Sequence, residues 1–155
     1  MSPQVWIAVI VGVAASAEDL LRRQISNWIP AAALVAGLGY HTWQSGWRGA
    51  ITALSGAACG FAVFLIFYLL GGMGGGDVKL MAGFGAVLGA GRLLEAALWT
   101  AAVGGLAAAA VIAWSALRRR SRGGDGTTQP APRVEWIPYA PAITAGAWLA
   151  LIPKG

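Results

Sequence analysis

Long apolar blocks separated by short polar joints constrain this chain more than any other feature of it. The blocks run over residues 3–17, 28–43, 50–70, 80–91, 93–117 and 137–152. In lipid a backbone must satisfy its own hydrogen bonds, which an open chain does only as a helix. Charged residues make up 11% of the sequence, against roughly 25% in a typical soluble domain. The pattern predicts an all-α, polytopic membrane protein with six transmembrane helices, forming a single domain over residues 1–155.

The basic residues orient the helices. With the N-terminus outside, Arg22, Arg23, Lys79, Arg118, Arg119, Arg120, Arg122 and Arg133 fall inside, and Arg48, Arg92 and Lys154 fall outside. That asymmetry follows the positive-inside bias of membrane proteins. It makes 18–27, 71–79 and 118–136 cytoplasmic loops, with the glycine-rich 123–133 part flexible. It also accounts for the net charge of +5 without nucleic-acid binding. Ala15-Ser16-Ala17 resembles a signal-peptidase site, but no lysine or arginine precedes it. The first block is therefore expected to remain as a helix. Block 80–91 has 12 residues, only ~18 Å of helix against a ~30 Å hydrocarbon layer. Its helix is expected to begin earlier, drawing Asp77 and Lys79 toward the membrane while Lys79 snorkels to the surface.

The joint before that block, Gly71-Gly72-Met73-Gly74-Gly75-Gly76-Asp77-Val78-Lys79, concentrates glycine beside an acid and a base. A carboxylate near membrane depth is costly and usually functional. Of the six acids, Asp125 and Glu135 read as solvated loop residues, and Glu95 pairs with Arg92 at i,i+3 spacing. Asp19 and Asp77 emerge on the same side. Two carboxyls sharing a site ionise one at a time, so one can take a proton from water while the other donates one. Glycine would let an extended substrate backbone approach and would permit unusual dihedrals. The residues equally allow a plainer arrangement, in which Asp77 caps a helix and the glycines pack closely. Glu18 could attract a basic substrate or raise the pKa of Asp19. Cys59 reads as a small core residue, and His41 as an interfacial one on the side away from the acids. The chain has one cysteine, so no internal disulfide or CxxC metal site can form. No phosphate-cradling GK[ST] loop is present.

Gly74-Gly75-Gly76-Asp77 is a GxGD sequence, and Gly76-Asp77-Val78-Lys79-Leu80 resembles the second-aspartate motif of the type IV prepilin peptidases. Asp19, Arg22, Arg23, Ile25 and Asn27 are similar to that family's first motif, D-x6-PN, with Ser26 standing where proline is usual. The run from Ile137 to Ile143 resembles the family's final helix. The resemblance implies an aspartic endopeptidase of the bacterial inner membrane, removing the basic leader of prepilins or pseudopilins at the cytoplasmic face without metal or cofactor. Asp19 and Asp77 would be the catalytic pair. Gly74 and Gly76 would shape the loop, with Lys79 and Asn27 as supporting neighbours. Longer members carry a cysteine-rich segment between the first two helices and also N-methylate the product. This chain lacks that insertion, looks like the short form serving Flp-type (tight-adherence) pili, and does not carry methylation over. The partners so implied are a prepilin and the lipid bilayer, with oligomeric state left open. Outside the resemblance, paired membrane acids also suit a transporter or an inactive pilus-assembly scaffold.

Overall fold

The second and third apolar blocks fold as one hairpin. In the computed structural model, which describes residues 2–71, 73–121 and 139–152, a single helix α2 (Trp28–Leu69) covers both. Its 42 residues would reach ~63 Å if straight, twice the depth of a ~30 Å hydrocarbon layer. Ser45 (φ −137°, ψ 16°) and Gly46 (φ 55°, ψ −135°) fold it back. A positive φ of that kind is cheap only for glycine. The polar joint expected between two helices is thus reduced to two non-helical residues.

The other helices are α1 (Pro3–Arg22), α3 (Gly75–Leu88), α4 (Ala90–Ser121) and α5 (Ala140–Leu149), and all regular structure among the described residues is helical. Helix α1, helix α2 and the Ala90–Trp114 part of α4 are long and apolar enough to cross a membrane. Helices α3 and α5, at 14 and 10 residues, measure only ~21 Å and ~15 Å. Helix α3 begins ahead of the apolar run at Leu80, as the shortness of that run predicts, so Asp77 stands in its first turn. Helix α4 continues to Ser121 and carries residues 118–120, which the sequence placed in a loop. The flexible segment expected at 123–133 and the acids Asp125 and Glu135 lie outside the described residues.

Helix α3 occupies the groove between the two arms of α2. On the outgoing arm Gly37 faces the backbone of Ala86 and Val87. On the return arm Gly56 and Gly85 touch through their main chains, and a Cβ on either would collide with the carbonyl of the other. Small residues at such crossings let helix backbones approach and gain dispersion contact in lipid, where the hydrophobic effect between helices is absent. Leu80, Met81, Phe84 and Val87 of α3 are fully buried. At the far end of α3, Gln4 Nε2 and His41 Nε2 both donate to the Val87 carbonyl, at 2.7 and 3.0 Å. That carbonyl has no partner within its own helix, because Gly89 (φ 74°) ends it. His41, expected to be interfacial, is therefore half-buried and bonded to α3.

Helix α5 runs antiparallel to α1. Trp148 Nε1 donates to the Ala8 carbonyl at 3.0 Å, and Ser16 Oγ to Thr144 Oγ1 at 3.2 Å. Helix α4 packs on α5 where Gly146 meets Thr100 and Ala96. Outward faces are apolar too, including Leu98, Leu106 and Ile112, as suits helices facing lipid. This explains one departure from expectation. Cys59 is exposed rather than buried in the core, since an apolar residue on such a helix can face either way.

The Gly56–Gly85 contact gives a test. Gly56→Val overpacks it and costs at least about 1–3 kcal/mol. A fall in detergent melting temperature is expected, whereas Gly39→Ala, which meets nothing within 4 Å, should not lower it.

Candidate active site

Three helix ends converge at one end of the bundle. These are the C-terminus of α1 and the N-termini of α3 and α5. Between them lies a cleft of about 420 Å³, lined by Asp19 and residues 23–27 on one side and by residues 74–77 and 79 on the other. Asp19, Asp77, Gly74, Gly76, Lys79 and Asn27, all singled out from the sequence, line this one cleft.

Helix α1 carries Asp19 in its last turn. The Asp19 carbonyl accepts the Arg23 N–H at 2.9 Å, and Arg23 ends the helix in the left-handed region at φ 52°. The Asp19 side chain is half-buried and accepts the backbone N–H of Ala140, the first residue of α5, at 3.1 Å. One carboxylate oxygen thus satisfies an N–H that a helix start leaves unpaired.

Asp77 is 7% exposed. Its Oδ2 accepts the Gly74 N–H at 3.2 Å, while its own N–H donates to the Gly74 carbonyl at 3.1 Å. The helix-capping arrangement and the cleft arrangement are therefore both present at Asp77. The residue precedes the apolar run and lies outside the helices long enough to cross. Burial raises its pKa to about 6, against the opposing Gly74 hydrogen bond and with the nearby Asp19 charge adding to the rise. Each carboxylate thus lies within the other's electrostatic reach.

The glycines of the joint serve approach more than dihedral freedom. Gly74 has φ −81° and ψ 153°, which any residue adopts. A Cβ at Gly76 would press on Ile25 at 3.3 Å, so here the α1–α2 loop leans directly on α3. Gly71 does have a positive φ, 76°. Lys79, expected to reach for the membrane surface, donates from Nζ to Asn27 Oδ1 at 2.9 Å and ties the two walls of the cleft. Among the described residues no group of three or more His, Cys, Asp or Glu side chains could hold a metal ion.

Two features escaped sequence reasoning. One is the bond from Ala140 to Asp19 across 121 positions, foreshadowed only by the likeness around Ile137–Ile143. The other concerns Glu18, whose two carboxylate oxygens accept the Ser26 N–H and the Ser26 hydroxyl, each at 2.8 Å. Glu18 is thereby engaged with its own loop.

The raised pKa of Asp77 links to stability. A carboxyl whose folded pKa exceeds its unfolded value binds its proton more tightly when folded, so the stability it gives is lost as pH rises from about 4 to about 6. Asp77→Asn removes the charge and keeps an acceptor for Gly74. It should stabilise the protein by about 1–3 kcal/mol at pH 7.5 and not at pH 4, measured as melting temperature in detergent.

Comparison with known proteins locates the chain. The model of the Type IV leader peptidase family matches residues 6–120, a span containing both aspartates. The Prepilin leader peptidase/N-methyltransferase of Bacillus subtilis (strain 168) is 35% identical over 127 residues, covering 81% of this chain and 42% of that protein. The chain thus spans about two fifths of the length of that relative. No solved structure matches it. The family match extends over most of the sequence, and the chain belongs to the type IV leader peptidase family.

Proposed function

We propose that the protein is a membrane-embedded aspartic endopeptidase that removes the leader of Flp-like type IV prepilins or pseudopilins at the cytoplasmic membrane face, with Asp19 and Asp77 as its catalytic pair. The observation that carries this reading is the meeting of the two carboxylates, from the end of α1 and the start of α3, in one cleft. Family membership and the relative's name support the substrate class. Six crossings with the N-terminus outside suit the positive-inside count. They also suit the alternating direction of α1, the two arms of α2, α3, α4 and α5. The bilayer in question is the bacterial inner membrane.

The chemistry follows from the unequal settings of the two acids. A water between them loses a proton to the ionised carboxylate as its oxygen adds to the scissile carbonyl carbon. The protonated carboxyl polarises that carbonyl and then gives its proton to the leaving nitrogen as the C–N bond breaks, leaving the proton taken from water on the other carboxyl. Asp77, buried and titrating near 6, suits the protonated role. Asp19, half-exposed and held by Ala140, suits the ionised one. Titration belongs to the pair. The chemistry calls on no metal or cofactor.

Asparagine at either position keeps an oxygen for the Ala140 or Gly74 N–H, so loss of activity would not follow from lost caps. Asp19→Asn and Asp77→Asn should each lower kcat/KM by at least about 10²–10⁴-fold while the protein remains in the membrane. The measurement is product mass after incubation of reconstituted enzyme with a co-expressed Flp-type prepilin. Uncut prepilin with the wild-type enzyme, accompanied by proton or solute flux in liposomes, would select a transporter instead. The pH profile of kcat/KM should be bell-shaped, its alkaline limb falling through about 6 as Asp77 loses its proton. Asp77→Asn should erase that limb in any residual activity.

A further inference from the structure

The geometry points to Glu18 as a positioning residue for the peptidase reaction: by clasping Ser26 it holds the α1–α2 loop as a preformed wall of the substrate cleft. This inference rests on the peptidase reading for its kinetic part and on the structure alone for its mechanical part.

The loop is held to α1 by this clasp and to α2 and α3 by other contacts. Residues 24 and 25 follow the left-handed turn at Arg23 outside both helices, while the Ser26 and Asn27 carbonyls accept the Ile29 and Ala31 N–H groups at the start of α2. Together these four residues, 24–27, supply most of one side of the cleft. Ile25 must lie against Gly76, and Asn27 must present Oδ1 to Lys79, if that side is to face the aspartates in register. Glu18 supplies the tie back to α1. Both its oxygens are engaged, one by the Ser26 backbone N–H and one by the Ser26 hydroxyl, at 2.8 Å. Charge-assisted bonds of this length are roughly twice as strong as neutral ones. Glu18 also directly precedes Asp19, so the residue that fixes the loop and the acid that works beside it share one turn of α1.

The pairing is chemically selective. A residue without a backbone N–H at position 26 could not make the first bond, and one without a hydroxyl could not make the second. Glutamate at 18 accepts both at once. Glutamine offers one acceptor oxygen, enough for the backbone bond.

A held wall lowers the cost of ordering the loop when substrate binds, so its loss should appear chiefly in KM. Glu18→Ala is expected to raise KM about tenfold and to change kcat by less than about threefold, with Glu18→Gln largely restoring KM. Ser26→Ala, which keeps the N–H bond, should have a smaller effect, and adding it to Glu18→Ala should change nothing further. A spin label at Gln24, in a Cys59→Ala background, reads the loop without any substrate. Glu18→Ala should increase its mobility and Glu18→Gln should not. Unchanged label mobility in Glu18→Ala would overturn the clasp whatever the enzyme cleaves. Increased mobility with unchanged KM, or with kcat and melting temperature falling together, would overturn the positioning role. Failure of the wild-type enzyme to cut any prepilin would count against the peptidase reading and the kinetic role together, leaving the mobility result to decide the clasp.

Discussion

Main-chain contact between α2 and α3 is the constraint on which the rest of the structure depends. The helical part of α3 is shorter than the depth of a hydrocarbon layer, and from Leu80 onward it is buried between the arms of a hairpin. Gly56 and Gly85 let it sit that deep, and Gln4 and His41 close its far end on the Val87 carbonyl. Its position being fixed, its first turn is fixed as well, and with it Asp77. In a medium without water to fill gaps or satisfy stray amides, the helix cannot slide without losing both the glycine contact and the cap.

The same logic explains why two acids can stand together at the membrane end of the bundle. Each carboxylate accepts a backbone N–H at a helix start, Asp77 from Gly74 and Asp19 from Ala140. At Asp77 that bond partly replaces the water lost on burial. The two acids differ in surroundings, since Asp77 is enclosed and Asp19 is not. Burial raises the proton affinity of Asp77. The site thus draws its asymmetry from packing and leaves the residues themselves alike.

Much of this was legible in the sequence because hydropathy marks where a lipid-bound chain turns. The joints at 18–27 and 71–79 carried the acids, and both joints form the cleft. The short run at Leu80 correctly required α3 to start earlier. What could not be read was which way each helix faces. On a chain apolar on all sides, Cys59 on the outside and Phe84 in the core look alike, because lipid and protein interior make the same demand. Bonds between distant segments, such as Ala140 to Asp19, leave no periodic trace. The Glu18–Ser26 clasp is local, yet it depends on a loop geometry that composition does not encode.

Asp19 and Asp77 line a single cleft, and the arrangement should hold in the protein as it exists in a membrane. The most direct measurement replaces both with cysteine in a Cys59→Ala background and treats native membranes with a short bifunctional maleimide, reading intramolecular cross-links by mass. Efficient cross-linking of the 19/77 pair is expected, and none of a 19/43 pair, whose second site lies near the α2 bend at Ser45 and Gly46. Absence of the 19/77 link, with both cysteines shown to react singly, would contradict this arrangement.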